Sequence, residues 1–260
     1  MPASSSDVAA QLRAAGCVFA EDEARLLLDA APSAPELAQL VERRVAGEPL
    51  EYILGWVEFC GLRVAVQPGV FVPRRRTELL ARHASALARD GDVVVDLCCG
   101  CGAVGAAVLA ALPGVELHAV DLDPVAVQCA RSNLGDRVHL GDLYAPLPAR
   151  LRGRVAVVVA NGPYVPTAAL ATMPPEARLH EPAVALDGGT DGLDVLRRVI
   201  AEAADWLMPG GSVLVESSRA QARLLAADMT RAGLQPQVVG DDDTGATVVI
   251  GLKPATHRRA

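Results

Sequence analysis

Hydrophobic positions follow two textures along the chain. In the first part, residues 7–46, they stand at helical spacing, which predicts short helices, with Leu-bearing stretches over Glu21–Ala30 and Glu36–Ala46. Pro32 and Pro35 are expected to break the chain between these two, and Gly47 to stop the second. From Tyr52 to Val72 the texture changes to short β-like runs, Trp56–Phe59 and Leu62–Val66, divided by Cys60-Gly61 in the manner of a hairpin. From Val93 onward strand and helix patterns alternate. Val93–Leu97 reads as strand, Ala106–Leu112 as helix, Glu116–Val120 as strand and Pro124–Ser132 as helix. Val138–Leu140 is a short strand, and the unbroken apolar run Val155–Ala160 is a strand buried on both faces. Leu193–Leu207 reads as helix, Ser212–Val215 as strand, Gln221–Ala232 as helix, and Gln237–Val239 and Ala246–Leu252 as two late strands around the acidic turn Asp241-Asp242-Asp243.

Alternating strand and helix units predict an α/β protein with an open, mostly parallel sheet covered by helices on both faces. The last two strands are joined by a turn instead of a helix, which places one antiparallel strand at the sheet edge. With 260 residues, at roughly 150 residues per domain, the chain has room for one or two domains.

Composition narrows the function classes. Hydrophobic residues make up 51% and charged residues 21%, which excludes a disordered chain. Aromatic residues are only 3% and the formal net charge is −7, so neither a base-stacking platform nor a general phosphate-binding surface is expected. A small-molecule or protein substrate fits better, with no nucleic acid partner. The six cysteines, three of them at Cys98, Cys99 and Cys101, lack the pattern of a secreted disulfide framework or the ligand spacing of a zinc or iron–sulfur site. A cytoplasmic location, no membrane span and no metal are the expectations. A short basic tail occurs at His257-Arg258-Arg259. Trp56 and Phe59 read as packing residues, Glu48 and Glu51 as solvent-facing, and His180 as structural.

After the Val93–Leu97 strand comes Cys98-Cys99-Gly100-Cys101-Gly102-Ala103-Val104-Gly105, with G-x-G-x-x-G spacing before a helix. Glycines here let a backbone approach a nucleotide cofactor closely. Asp121 follows Gly100 by 21 positions at a strand end, where a carboxylate can accept from both ribose hydroxyls. Asp96, expected at the pocket mouth, suits an ammonium or sulfonium ligand and repels a pyrophosphate, so S-adenosylmethionine is favoured over NAD. Asp142 stands either against the adenine amino group or as a helix N-cap. Cys98, Leu122, Leu143 and Asn161 complete the candidate cofactor contacts beside Asp96, Gly100, Gly102, Asp121 and Asp142.

Directly after the apolar strand comes Asn161-Gly162-Pro163-Tyr164, at the sheet edge where open α/β folds bind ligands. An amide nitrogen is a poor nucleophile because its lone pair is delocalised, so orientation has to supply much of the catalysis. The Asn161 side-chain oxygen and the Gly162 carbonyl can each accept one N–H of a planar NH2 group and stabilise charge developing on nitrogen. Tyr164 can pack against the flat amide or base. Catalysis and substrate binding are therefore assigned to Asn161, Gly162, Pro163 and Tyr164.

On these motifs the chain resembles the protein-(glutamine N5) methyltransferases of the PrmC/HemK type. The likeness extends to Gly47–Gly55, to Gln67–Arg74 with Thr77-Glu78, and to Glu181–Gly189 followed by Asp191-Gly192-Leu193. It implies a Rossmann-like catalytic domain using S-adenosylmethionine, yielding S-adenosylhomocysteine, and methylating the GGQ glutamine of peptide-chain release factors. It also implies a small helical N-terminal domain that helps hold the substrate, giving residues 1–50 as helical domain, 51–72 as hairpin connector and 73–260 as catalytic domain. Three departures stand out. Gly162 replaces the family's first proline, Arg75 and Arg76 replace a proline and an acid, and Glu216-Ser217-Ser218 replaces Glu-x-Gly with Gln221 retained. They point to a divergent branch. The other readings are methylation of an exocyclic base amine, for which Arg74, Arg75, Arg76 and Arg82 are the supporting feature, methylation of another protein or a small-molecule amide, and a catalytically idle binding module.

Overall fold

The computed structural model describes residues 4–255; the tail at His257-Arg258-Arg259 lies outside the described residues. Ser4 opens helix α1 (Ser5–Ala14) with a capping box, its hydroxyl accepting from the Asp7 amide while the Asp7 carboxylate accepts from the Ser4 amide. Helices α2 (Ala20–Ala30) and α3 (Ala34–Val45) follow. Ser33 caps α3, and Pro35 lies within its first turn. A missing N–H costs nothing there, so Pro35 starts the helix where the sequence reading had it as a breaker. Val8, Leu12, Leu27, Leu37 and Val41 form the small core of this helical unit. A short helix α4 (Leu50–Leu54), not foreseen from the pattern, ends at Gly55 in the left-handed conformation.

Strands β1 (Trp56–Phe59) and β2 (Leu62–Ala65) form the expected hairpin, paired from Trp56↔Ala65 to Phe59↔Leu62. Phe59 is fully buried in the core of the larger unit, while Trp56 is half-buried under the Arg63 guanidinium at 4.2 Å. Helix α5 (Glu78–Leu87) then leads into the sheet unit.

The sheet unit runs β3 (Val93–Leu97), α6 (Ala103–Ala111), β4 (Glu116–Asp121), α7 (Pro124–Leu134), β5 (Val138–Leu140) and β6 (Val155–Ala160). It continues with α8 (Pro175–His180), α9 (Asp194–Trp206), β7 (Leu207–Glu216), α10 (Ala222–Arg231), β8 (Gln235–Asp241) and β9 (Ala246–Leu252). The seven strands lie in the order β5-β4-β3-β6-β7-β9-β8. β9 runs antiparallel to both β7 and β8, so the antiparallel strand stands one place in from the outermost strand. β8 is longer than its apolar pattern suggests because it is an exposed edge, where Pro236 is tolerated and alternation is not enforced. Side chains of β3 alternate between two cores, Val94 on one face and Val95 and Leu97 on the other. No helix of the described residues is long and apolar enough to cross a membrane.

The chain builds β3, β4 and β5 outward and then returns to place β6 beside β3. This reversal is the topological switch point of the sheet, and its carboxyl ends form the crevice in which such folds bind ligands. Leu97 pairs with Ala160, so the loop after β3 and the turn after β6 emerge side by side.

Candidate active site

Two cavities meet above that pair of strand ends. The first is lined by Asp96, Cys98, Gly100, Asp121, Leu122, Asp142, Leu143 and Asn161, together with Pro163. Gly102 is the one sequence-assigned cofactor residue outside this lining. Its left-handed backbone opens α6, and an added Cβ would stand 2.6 Å from Leu134 Cδ1, so it serves the packing of α6 on α7. Gly100 also has a positive φ, but an added Cβ there would meet open space. Cys98 is a non-glycine residue in the left-handed region, with φ 55, which turns the chain sharply out of β3.

Asp121 closes β4 with its side chain already at work. Oδ2 accepts from the Gly100 amide at 2.8 Å and Oδ1 from the Asp123 amide at 2.9 Å, which fixes the carboxylate at the cavity edge with lone pairs to spare. Burial pushes its pKa up against these hydrogen bonds. Asp96 is not at the mouth of the pocket, as its position in the sequence suggested. It is 2% exposed, and its Oδ2 accepts from the Gly105 amide at 2.9 Å at the start of α6. Burial, with Asp121 nearby, pushes its pKa up to about 7. Asp142 caps no helix; it is exposed and pairs with Arg198 at 2.6 Å. Asp96, Asp121, Asp123 and Asp142 thus face one arginine that is already paired. That donor set suits a cationic sulfonium and opposes a pyrophosphate.

The second cavity lies between the helical unit and the sheet unit. Phe71, Asn161 and Ala185 line both cavities, and Gly162 and Tyr164 face the second. Asn161 Nδ2 donates to Thr77 Oγ1 at 3.4 Å, which turns its side-chain oxygen away from Thr77 as the free acceptor. The Tyr164 hydroxyl donates to Glu216 Oε1 at 3.0 Å, and burial together with that carboxylate pushes the phenol pKa well up.

The turn is clamped by the run after α8. Gly188 donates to the Val165 carbonyl at 2.9 Å, Val165 to the Leu186 carbonyl at 3.0 Å, and Gln221 Nε2 to the Tyr164 carbonyl at 2.9 Å. A Cβ on Gly192, whose φ is +80, would stand 2.4 Å from the Tyr164 carbonyl oxygen, so only glycine permits this approach.

Several residues of the site escaped the sequence reading. Arg74 is not a free cation for a nucleic acid substrate; Nη2 bonds both oxygens of buried Glu181, at 2.6 and 2.7 Å. Arg76 pairs with Glu216 at 3.3 Å, and Arg82 with Glu78 at 3.6 Å and Asp241 at 3.7 Å. Phe71 and Thr77 join the wall. Glu51 is half-buried and lines the second cavity, and Glu48 is tied to Arg43 at 2.6 Å, so neither is a free solvent-facing acid. The Thr77-Glu78 run was the available signal for Thr77. Arg74 and Glu181 each fall in a family-like run, but at 107 positions apart the sequence carries no signal that they pair.

Comparison with known proteins gives a consistent result. The methyltransferase small domain family model matches residues 61–189. The release factor glutamine methyltransferase of Geobacter sulfurreducens is 39% identical over 217 residues, covering 82% of this chain and 75% of that protein. The Bradyrhizobium diazoefficiens protein of the same name is 36% identical over 253 residues, 87% of this chain and 85% of its own. Among solved structures, a methyltransferase from Pyrococcus furiosus superposes with TM-score 0.55 at 18% identity, covering 75% of this chain and 90% of that one. A T. thermophilus 16S rRNA methyltransferase solved with AdoMet and guanosine gives TM-score 0.54 at 20% identity, covering 76% and 49%. These two likenesses concern the fold.

Proposed function

The chain belongs to the release factor glutamine methyltransferase family, and from that premise we propose that it methylates the side-chain amide nitrogen (N5) of a protein glutamine, the GGQ glutamine of peptide-chain release factors. The supporting observation is the position of Asn161, which lines both the acidic cavity of the switch point and the cleft between the two units. S-adenosylmethionine, when bound in the first cavity, supplies a methyl group activated by a sulfonium. Asp121 would hold its ribose, with Gly100, Leu122 and Leu143 forming the surrounding wall and Asp142 near the base.

The acceptor amide enters from the cleft side. Asn161 Oδ1 accepts one N–H and the Gly162 carbonyl the other, which holds the nitrogen lone pair toward the first cavity. Both acceptors also stabilise positive charge on that nitrogen as its bond to carbon forms. The Asn161 amide nitrogen is taken up by Thr77, which leaves Oδ1 as the acceptor. Pro163 stiffens the turn, and Tyr164, tied to Glu216, packs beside the amide plane. Replacing the family proline by Gly162 leaves this chemistry intact because the acceptor there is a backbone carbonyl.

In this reading the helical unit, residues 1–50, and the connector, 51–72, help present the protein to the catalytic domain, 73–260, and the enzyme works in the cytoplasm with the translation machinery. Of the four arginines that favour a base amine substrate, Arg74, Arg76 and Arg82 are paired with acids and only Arg75 is exposed without an ion pair among the described residues, which is too little for a phosphate track. The test is transfer from methyl-labelled S-adenosylmethionine to intact release factors, with peptide mass spectrometry locating the label. Label on the GGQ glutamine supports the reading; label elsewhere, or only on nucleic acid, overturns it.

A further inference from the structure

The ionisable groups lining the acceptor cleft are unevenly matched. Arg44 is held by Glu23 at 2.6 Å and Glu176 at 3.1 Å, Arg74 by Glu181 at 2.6 Å, and Arg76 by Glu216 at 3.3 Å. Asp22 at the rim is paired with Arg25 at 3.1 Å. Glu51 on α4 is the exception. It lines the same cleft as Asn161, Gly162 and Tyr164, and among the described residues no cation stands within ion-pair distance of it. Burial raises its pKa, its own backbone amide opposes this, Glu176 adds to the rise, and Arg74 and Arg44 oppose it from beyond ion-pair distance.

A half-buried carboxylate without an ion-pair partner has lost hydration that its own backbone amide replaces only in part. It gains a partner if one arrives with the substrate, and complementary charge at such a place discriminates between partners more than it adds affinity. With every cleft arginine already neutralised, the unmet demand in the cleft is for positive charge.

We infer that Glu51 is a specificity-determining residue that receives a lysine or arginine side chain lying close to the acceptor glutamine in the protein substrate. The inference rests on the protein-glutamine reading above. The substrate segment is then a glutamine-bearing loop with an adjoining base, and an acid at the same place is rejected by Glu51 and Glu176 together.

The test uses a set of glutamine peptides identical except for one flanking position, carried in turn through several sites as lysine, norleucine or glutamate. At one flanking position the wild-type enzyme should show kcat/KM about tenfold higher for lysine than for norleucine, with glutamate lower still. Glu51→Gln, which preserves size, should bring the lysine to norleucine ratio to about one, and Glu51→Lys should favour the glutamate peptide. Equal use of all three peptides at every position by the wild type, or an unchanged ratio in Glu51→Gln, would overturn the inference while leaving glutamine methylation standing. Absence of methyl on glutamine in every peptide and in intact release factors would instead remove the underlying reading, and the inference with it.

Discussion

Tyr164 and Glu216 meet beneath the Asn161–Tyr164 turn, the tyrosine hydroxyl donating to Glu216 Oε1 at 3.0 Å, and Arg76 Nε reaches that same oxygen at 3.3 Å. Glu216 is 1% exposed, and its Oε2 has no hydrogen-bond partner. Arg76 is therefore the cation that makes a buried carboxylate tolerable at this place. Removing one partner of such a pair costs more than removing both. Arg76→Met is expected to lower unfolding stability by about 2 kcal/mol, the figure for a buried pair reduced because Arg76 is partly exposed. Arg76→Met with Glu216→Gln should recover most of it. Denaturant unfolding of both variants checks this, and a double variant as unstable as the single one would contradict it.

Asp96 predicts a pH dependence of stability. Its pKa in the folded chain is about 7, well above the ordinary 3.8, because burial disfavours the charged form. The folded state therefore binds more protons than the unfolded state between these values, and stability falls as pH rises. The contribution is fully present below the unfolded pKa and is lost as pH rises through about 7. Asp96→Asn, still able to accept from Gly105, should lose this dependence. Melting temperatures from pH 5 to 8 should decline more steeply in the wild type than in the variant; parallel curves would contradict the assignment.

The same carboxylate bears on cofactor affinity. A cationic ligand favours its ionised form, so the dissociation constant for S-adenosylmethionine should rise as pH drops below about 7. Titration calorimetry across pH 5.5 to 8 measures this, and flat affinity would contradict a role for Asp96 charge.

Asp121→Ala removes an acceptor that two backbone amides hold in place. Loss of a charge-assisted pair of hydrogen bonds should weaken S-adenosylmethionine binding by about 10-fold to 100-fold. Unchanged affinity would move the ribose contact elsewhere.

Gly162→Pro restores the family residue. Gly162 does not occupy the left-handed region, and an added Cβ would stand 3.1 Å from Leu196 Cδ2 and 3.6 Å from Cys98 Sγ, space that a small shift of the leucine end provides. A stability gain of about 0.5 kcal/mol with turnover retained is expected, since proline restricts the unfolded chain. Lost turnover with an intact fold would show that this site has come to depend on glycine.

Much of the candidate site is legible in the sequence because its parts are local. The G-x-G-x-x-G spacing, Asp121 at a strand end, and Asn161 after an all-apolar strand each occupy a few consecutive residues whose chemistry constrains their setting. Long-range ion pairs were not legible. Arg76 reads as a surface charge until the fold brings Glu216 to it from 140 positions away. Asp96 reads from the sequence as a charged group at the pocket mouth, but its depth is set by α6, whose Gly105 amide it accepts from. Pro35 was misread because a proline that breaks a helix and one that begins it look alike without the Ser33 cap. The late strand over Pro236 was shortened because edge strands need not alternate.

The most direct test of the Asn161 mechanism is to measure, on one preparation each of wild type and Asn161→Ala, S-adenosylmethionine affinity and the single-turnover rate of methyl transfer to an intact release factor. Because Asn161 is one of several cofactor contacts, the mechanism predicts an affinity loss of no more than about 10-fold and a rate lower by about 100-fold or more, the cost of losing an acceptor that acts in the transition state. An alanine variant that transfers methyl to the glutamine as fast as the wild type would contradict it.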